Sequence, residues 1–181
     1  MKDTDPRVSI ILLNWNTAEE TIECIESLLD IKYDNFEIVL VDNNSEQDDI
    51  QTIRSYLNGN ISVKSELVEY SEERMPISVQ EYNIEETDVG SMADGHQEFV
   101  TLIRNNSNDG FPGGNNIGIR LALQRESDYV LLLNNDVVVD EQFLTSSVKV
   151  AESSDSTGIV GSKVYYYDEP NRIQTIGGDM A

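Results

Sequence analysis

An unbroken apolar run, Tyr129-Val130-Leu131-Leu132-Leu133, stops abruptly at Asn134-Asn135-Asp136. A run this short and apolar at every position reads as a strand buried on both faces, as in a parallel sheet. Ligands of open α/β sheets bind just beyond the carboxyl ends of such strands. Two amides and a carboxylate at that place form a polar-ligand and divalent-cation site, or a plain turn, since these residues favour turns. From the segment alone the two readings stay open.

The same shape recurs along the chain. Val8 to Leu13 is a first buried strand that ends in Asn14-Trp15-Asn16. Thr17-Ala18-Glu19-Glu20 has the form of a capping box, and Ile22, Ile25 and Leu29 follow at helical spacing. Glu37 to Val41 is a second strand, ending in Asp42-Asn43-Asn44-Ser45. Ser45 can cap a second helix whose apolar face is Ile50, Ile53 and Leu57. Phe99 to Ile103 is a third strand, followed by a glycine-rich loop, Gly110 to Gly114, and a helix through Ile117, Leu121 and Ala122. A helix around Phe143, Leu144 and Val148 follows the fourth strand, and Gly158 to Val164 reads as a fifth strand. Repeated βα units call for a mostly parallel sheet flanked by helices, with right-handed crossovers. Residues 66–98 break the rhythm: they show no clear period and read as an acidic insertion, partly disordered or on the surface. The single histidine, His96, falls there and is expected to be solvated.

Composition narrows the partners. The 181 residues carry 34 acidic and 12 basic side chains, a net charge of −22. That argues against nucleic acid or an anionic membrane surface held by charge. The insertion holds ten of the acids, yet acids outnumber bases about two to one outside it, so the acidity is spread over the fold. An acidic, lysine-poor globule points to adaptation to high salt, where self-repulsion is screened. No apolar stretch is long enough to span a membrane, and Met1 to Asp5 is no signal peptide. The one cysteine, Cys24, excludes a disulfide framework or cysteine metal cluster and reads as a small buried hydrophobe within a helix.

Four strand ends thus converge on one edge of the sheet. They offer amides at Asn14 and Asn16, an aromatic at Trp15, and carboxylates at Asp42 and Asp136. The segment Asn108 to Gly118 adds glycines, which admit close backbone approach, and a helix start, which favours anions. The rim is nearly free of Lys and Arg, so a bound pyrophosphate would need a metal ion to neutralise it. There is no Gly-x-x-x-x-Gly-Lys-Ser/Thr, and no Gly-x-Gly-x-x-Gly follows the first strand. A P-loop enzyme and a dinucleotide oxidoreductase are therefore disfavoured.

Five segments, Val8 to Asn16, Val39 to Ser45, Asn108 to Gly118, Leu131 to Asp136 and Gly158 to Gly178, resemble the N-terminal part of an inverting family 2 glycosyltransferase of the GT-A fold. Gly110-Phe-Pro-Gly-Gly-Asn-Asn-Ile-Gly118 is similar to the subgroup that includes rhamnosyltransferases. The resemblance implies a single, partial nucleotide-sugar-binding domain over residues 1–181, of α/β, Rossmann-like GT-A architecture, lacking its C-terminal acceptor half. It implies that Asp42 hydrogen-bonds the nucleotide base and that Asn14, Trp15 and Asn16 surround base and ribose. Asn108, Gly113, Gly114, Asn115, Asn134 and Asn135 join that binding set. Asp136 keeps the last acid of the family's Asp-x-Asp and would hold Mg²⁺ or Mn²⁺ against the pyrophosphate. The donor would be a dTDP-, UDP- or GDP-sugar, and the acceptor a glycan or a lipid-linked glycan. The setting would be cytoplasmic, at most at the inner face of the membrane.

Two departures matter. Many relatives carry an arginine where Asn115 stands. The family's general base should lie beyond Tyr165-Tyr166-Tyr167 and Gly177-Gly178, where Asp168, Glu169 and Asp179 are the only acids and none sits in a matching motif. The expectation is a truncated chain that forms the donor half and does not transfer sugar by itself. The other readings are a non-catalytic module of the same fold and a sugar nucleotidyltransferase; the latter class usually has a basic, glycine-rich loop after the first strand, unlike Asn14 to Thr17.

Overall fold

A computed structural model describes residues 5–84 and 99–177. Its elements are β1 (Val8–Asn14), α1 (Ala18–Leu28), β2 (Phe36–Asp42), α2 (Gln47–Leu57), a 3₁₀ turn (Glu72–Arg74), β3 (Val79–Asn83), β4 (Val100–Arg104), α3 (Gly110–Gln124), β5 (Tyr129–Leu133), α4 (Phe143–Ala151), β6 (Val164–Tyr165) and β7 (Ile173–Thr175). The first five strands form one sheet in the order β3-β4-β2-β1-β5, parallel at every pairing. β6 and β7 form a small antiparallel pair.

Alternation along the strands builds two cores. Val8, Ile10, Leu12, Ile38 and Leu40 face α1, α2 and α4, meeting Ile22, Ile25, Leu28, Ile50, Ile53, Leu57, Leu144 and Val148. Ile11, Val39, Val41 and Ile103 face α3 and meet Ile117, Leu121 and Ala122. The expected apolar faces of the helices are therefore the ones that bury. On the α3 side the approach is very close. A Cβ on Gly118 would lie 2.6 Å from Ile11 Cγ2, and one on Gly114 would lie 2.3 Å from Leu13 Cδ1. Glycines one helical turn apart let this helix lie directly on β1.

Several expectations need correction. β5 is not buried on both faces: among the described residues it is the outermost strand, paired only with β1, and Leu132 is 47% exposed. The glycine-rich segment is not a loop, because α3 begins at Gly110 and includes it. Pro112 is tolerated there because first-turn amides have no intrahelical acceptor. Of the expected fifth strand only Val164 is in a ladder. The part of the insertion within the described residues contains β3, which pairs with β4, so it extends the sheet. His96, Gly178 and Asp179 lie outside the described residues.

The chain before β3 is tied down by a buried acid. Glu26 of α1 is fully buried and accepts a 2.5 Å hydrogen bond from Tyr56 of α2. Arg74 reaches Glu26 at 3.4 Å and Asp30 at 2.6 Å, fastening the 3₁₀ turn to α1.

Neither expected cap forms. Thr17 precedes α1 without a capping bond; instead the Ala18 N–H donates to Asp49 Oδ1 at 2.9 Å, so a carboxylate of α2 closes the start of α1. Glu46, not Ser45, precedes α2, and the Ser45 hydroxyl accepts from Asn14 and from the Asn16 N–H.

Candidate nucleotide-sugar site

Parallel pairing puts the carboxyl ends of β1, β2 and β4 side by side. Asn14 is in register with Asp42, and Asp42 with Arg104. Asn14 is fully buried, and its amide is the hub of this edge. Nδ2 lies 3.1 Å from Asp42 Oδ1, 3.0 Å from Ser45 Oγ and 2.7 Å from Asp49 Oδ2, while Oδ1 accepts from Thr21 at 2.8 Å. Asn14 thus fixes Asp42 and is itself saturated. Asp42 is fully buried as well, and its Oδ2 has no hydrogen-bond partner among the described residues.

The turn after β1 displays an aromatic. Asn16 adopts φ 55°, a left-handed conformation that asparagine tolerates. Its Oδ1 accepts from the Glu46 N–H at 2.7 Å. With the turn clamped, Trp15 stands 54% exposed at the rim.

Asn43 organises the next segment. Its Nδ2 donates to Asn108 Oδ1 at 2.8 Å, and its Oδ1 accepts from Asn105 at 3.2 Å. Asn108 Oδ1 also accepts from the Gly110 N–H at 2.9 Å, setting the start of α3. Hydrogen bonds from Asn105 and then Ser107 hold the exposed Asp109 carboxyl below its usual range. Gly113 sits over Asp109, where a Cβ would come within 2.5 Å of the aspartate Cβ. Gly114 rests on Leu13, and Asn115 is buried with its Nδ2 on the Phe111 carbonyl at 2.8 Å. The glycines therefore have a packing role that their sequence pattern does not distinguish from ligand contact.

Beyond β5 the three residues diverge. Asn134 is exposed, and its carbonyl lies 3.7 Å from the Cys24 sulfur. Asn135 donates to Thr17 at 2.6 Å and Thr21 at 2.7 Å, which anchors the segment to α1. Asp136 is exposed, close enough for its charge to act on Cys24. Burial first, and that charge second, push the Cys24 thiol up to about 12, so it is the inert buried hydrophobe expected. Among the described residues no group of three or more His, Cys, Asp or Glu side chains could hold a metal ion. A single open carboxylate does fit a cation whose other ligands are substrate phosphates and water, the usual habit of Mg²⁺.

Arg104 was missed in the sequence. The third strand was expected to stop at Ile103, but β4 runs one residue further and delivers a cation to a rim that read as almost free of them. Asn43, Ser45, Asp49 and Thr21 also belong to the edge; a polar residue near a strand end gave no hint of which would turn inward. A cavity of about 470 Å³ lined by Glu66, Leu67, Tyr167, Asp168 and Pro170 takes no residue from the strand ends.

The sheet and its helices are those of the GT-A fold. The mannosyltransferase PcManGT of Pyrobaculum calidifontis, solved with GDP-Man and Mn²⁺, superimposes with a TM-score of 0.58 at 18% identity, over 86% of this chain and 35% of that one. Residues 1–349 of S. aureus TarS, solved with UDP-GlcNAc, match with a TM-score of 0.50 at 15% identity, over 90% of this chain and 41% of that one. Among curated proteins, glycosyltransferase GlyG of Streptococcus pneumoniae serotype 4 is 22% identical over 162 residues, covering 90% of this chain and 40% of GlyG. The chain thus spans about two-fifths of the length of these relatives. The profile of glycosyl transferase family 2 matches residues 9–69 and 88–177, and the chain belongs to that family. Among the described residues no helix is long and apolar enough to cross a membrane.

Proposed function

We propose that this chain is the donor-binding part of an inverting glycosyltransferase that moves a sugar from a nucleoside-diphosphate-sugar to a glycan or lipid-linked acceptor. The observation that carries the reading is the Asp42 carboxylate: fully buried at the carboxyl edge of a parallel sheet, held at one oxygen by Asn14 and, among the described residues, without a hydrogen-bond partner at the other. A buried unpaired carboxylate oxygen is costly and calls for a donor. In this reading the base supplies it, with Trp15 stacking beside base or ribose.

The segment from Asn108 to Asn115 would approach the diphosphate, and Asp136 would hold a divalent cation beside it. When bound, that cation would neutralise charge developing on the leaving nucleoside diphosphate. The chain's own residues bind and orient: Asn14 fixes Asp42, Asn43 fixes the start of α3, and Asn135 fixes the Asp136 segment on α1. The nucleotide sugars and Mn²⁺ bound to the neighbours PcManGT and TarS support the ligand class. The Gly110 to Gly118 segment favours the rhamnosyltransferase-like subgroup, with a deoxysugar donor, acting in the cytoplasm or at the inner face of a membrane.

Titration calorimetry with UDP, dTDP and GDP, with and without Mn²⁺, tests this. At least one nucleotide should bind, more tightly with Mn²⁺, and Asp136→Ala should remove the metal-dependent gain. Absence of any nucleotide binding in the presence of Mn²⁺ and molar salt would overturn the reading; an undiminished gain in Asp136→Ala would remove that residue's role.

A further inference from the structure

The turn after β5 is seated along α1, residue by residue. Asn135 Nδ2 donates to Thr17 Oγ1 at 2.6 Å and to Thr21 Oγ1 at 2.7 Å. The Val137 backbone bonds to Cys24, whose thiol lies 3.7 Å from the Asn134 carbonyl. The Val139 N–H donates to Ser27 Oγ at 3.2 Å. Thr17, Thr21, Cys24 and Ser27 recur every three or four residues, the spacing of one helical face. Asp136 falls between two of the anchored residues and is exposed. Thr21 also reaches the other end of the site: it is fully buried, and its hydroxyl donates to Asn14 Oδ1 at 2.8 Å. Thr17 comes within only 3.4 Å of the same oxygen, so Thr21 is the principal link.

Chemistry forces the direction of these bonds. Asn14 Nδ2 lies 3.1 Å from Asp42 Oδ1 and 2.7 Å from Asp49 Oδ2, and ionised carboxylates only accept. The amide nitrogen must face them, so Asn14 Oδ1 faces Thr21 and takes its hydroxyl proton. Thr21 Oγ1 is then left to accept, and of the Asn135 amide only the NH₂ can donate to it. Asn135, Thr21, Asn14 and Asp42 thus form one relay in which each group donates to the next. Bonds aligned in this way polarise one another. We propose that Thr21 is a positioning residue whose hydroxyl locks the turn bearing Asp136 to the carboxylate of Asp42, so that the two ends of the donor site move as one body. This rests on the nucleotide-sugar reading above and adds how its base and diphosphate ends are kept in step.

The test compares Thr21→Val, which exchanges the hydroxyl for a methyl of similar size, with Thr21→Ser, which keeps it. Two readouts are taken on the whole chain: calorimetry of UDP, dTDP and GDP with and without Mn²⁺, and hydrogen exchange of the Val139 amide with neither metal nor nucleotide present. For the nucleotide that binds the parent most tightly, Thr21→Val should cut the Mn²⁺-dependent gain in affinity about tenfold, and Thr21→Ser should restore it to within about twofold. Exchange at Val139 should quicken about tenfold in Thr21→Val relative to exchange at Ile38, whose amide is bonded to the Phe99 carbonyl within the sheet. In an Asn135→Ala background the relay is already cut, so Thr21→Val should change the gain by less than about twofold; a full second loss there would overturn the relay. A lower melting temperature in Thr21→Val with an unchanged Mn²⁺ gain would make Thr21 a packing residue and overturn the proposal equally. Should Thr21→Val fail to fold, Asn135→Ala decides: it should show the same lost gain and the same faster exchange at Val139, and parent values refute the lock. If no nucleotide binds the parent even with Mn²⁺, the donor-site reading has failed, while exchange at Val139 still decides whether Thr21 holds the turn.

Discussion

Single residues carry this edge through bonds that reach far along the chain. Asn14 joins the ends of β1 and β2 to α1 and α2 with one amide, and its value lies in what it holds still. Gly118 works by absence. Helix propensity alone would make alanine better there by about 1 kcal/mol, yet an added Cβ would press on Ile11 Cγ2 at 2.6 Å. Ile11 is fully buried and branched at Cβ, so it has little room to turn. Gly118→Ala should therefore destabilise the fold by about 1–3 kcal/mol in urea titration. A variant as stable as the parent would show that α3 can lift off β1 without loss.

At the scale of elements, the Glu26, Tyr56 and Arg74 cluster predicts a pH dependence. Burial, the largest influence, raises the Glu26 carboxyl above its usual value, outweighing the bond from Tyr56 and the charge of Arg74. A raised folded value means that Glu26 contributes stability below its unfolded pKa, about 4.3, and loses it as pH rises through the folded pKa. In Glu26→Gln the amide oxygen can still accept from Tyr56 and nothing titrates. The variant's stability relative to the parent should therefore rise as the pH climbs above the unfolded carboxyl pKa of about 4.3; a flat difference in denaturation free energy would contradict the shift. Helices were legible because Ile50, Ile53 and Leu57 carry the period of a face that buries. Their caps were not, because Thr17 and Ser45 have sequence partners nearby but bond across the fold, as Thr17 does with Asn135. β3 was illegible for a related reason. As an edge strand it pairs on one side only, and Gln80, Glu81 and Asn83 hide its period.

The whole molecule carries a net charge of −22, and its acids extend well beyond any one segment. Screening shortens from about 10 Å at 0.1 M salt to about 3 Å at 1 M. The melting temperature should therefore climb between those concentrations; a constant or falling value would discount adaptation to salt. Of the candidate site, the strand ends were visible in sequence as polar residues closing apolar runs. Which of them would face inward was not, since Asn14 and Trp15 are neighbours with opposite fates, one sealed and one displayed. Strand order has a further consequence for how the edge is made. Four of the five sheet strands, β1 to β4, lie within residues 8–104, whereas β5 comes last and joins β1 from outside. A nascent chain folds N-terminus first, so the Asp42 and Arg104 row can assemble while Asp136 is still inside the ribosome. The end of the site assigned to the base would be finished before the end assigned to the diphosphate exists.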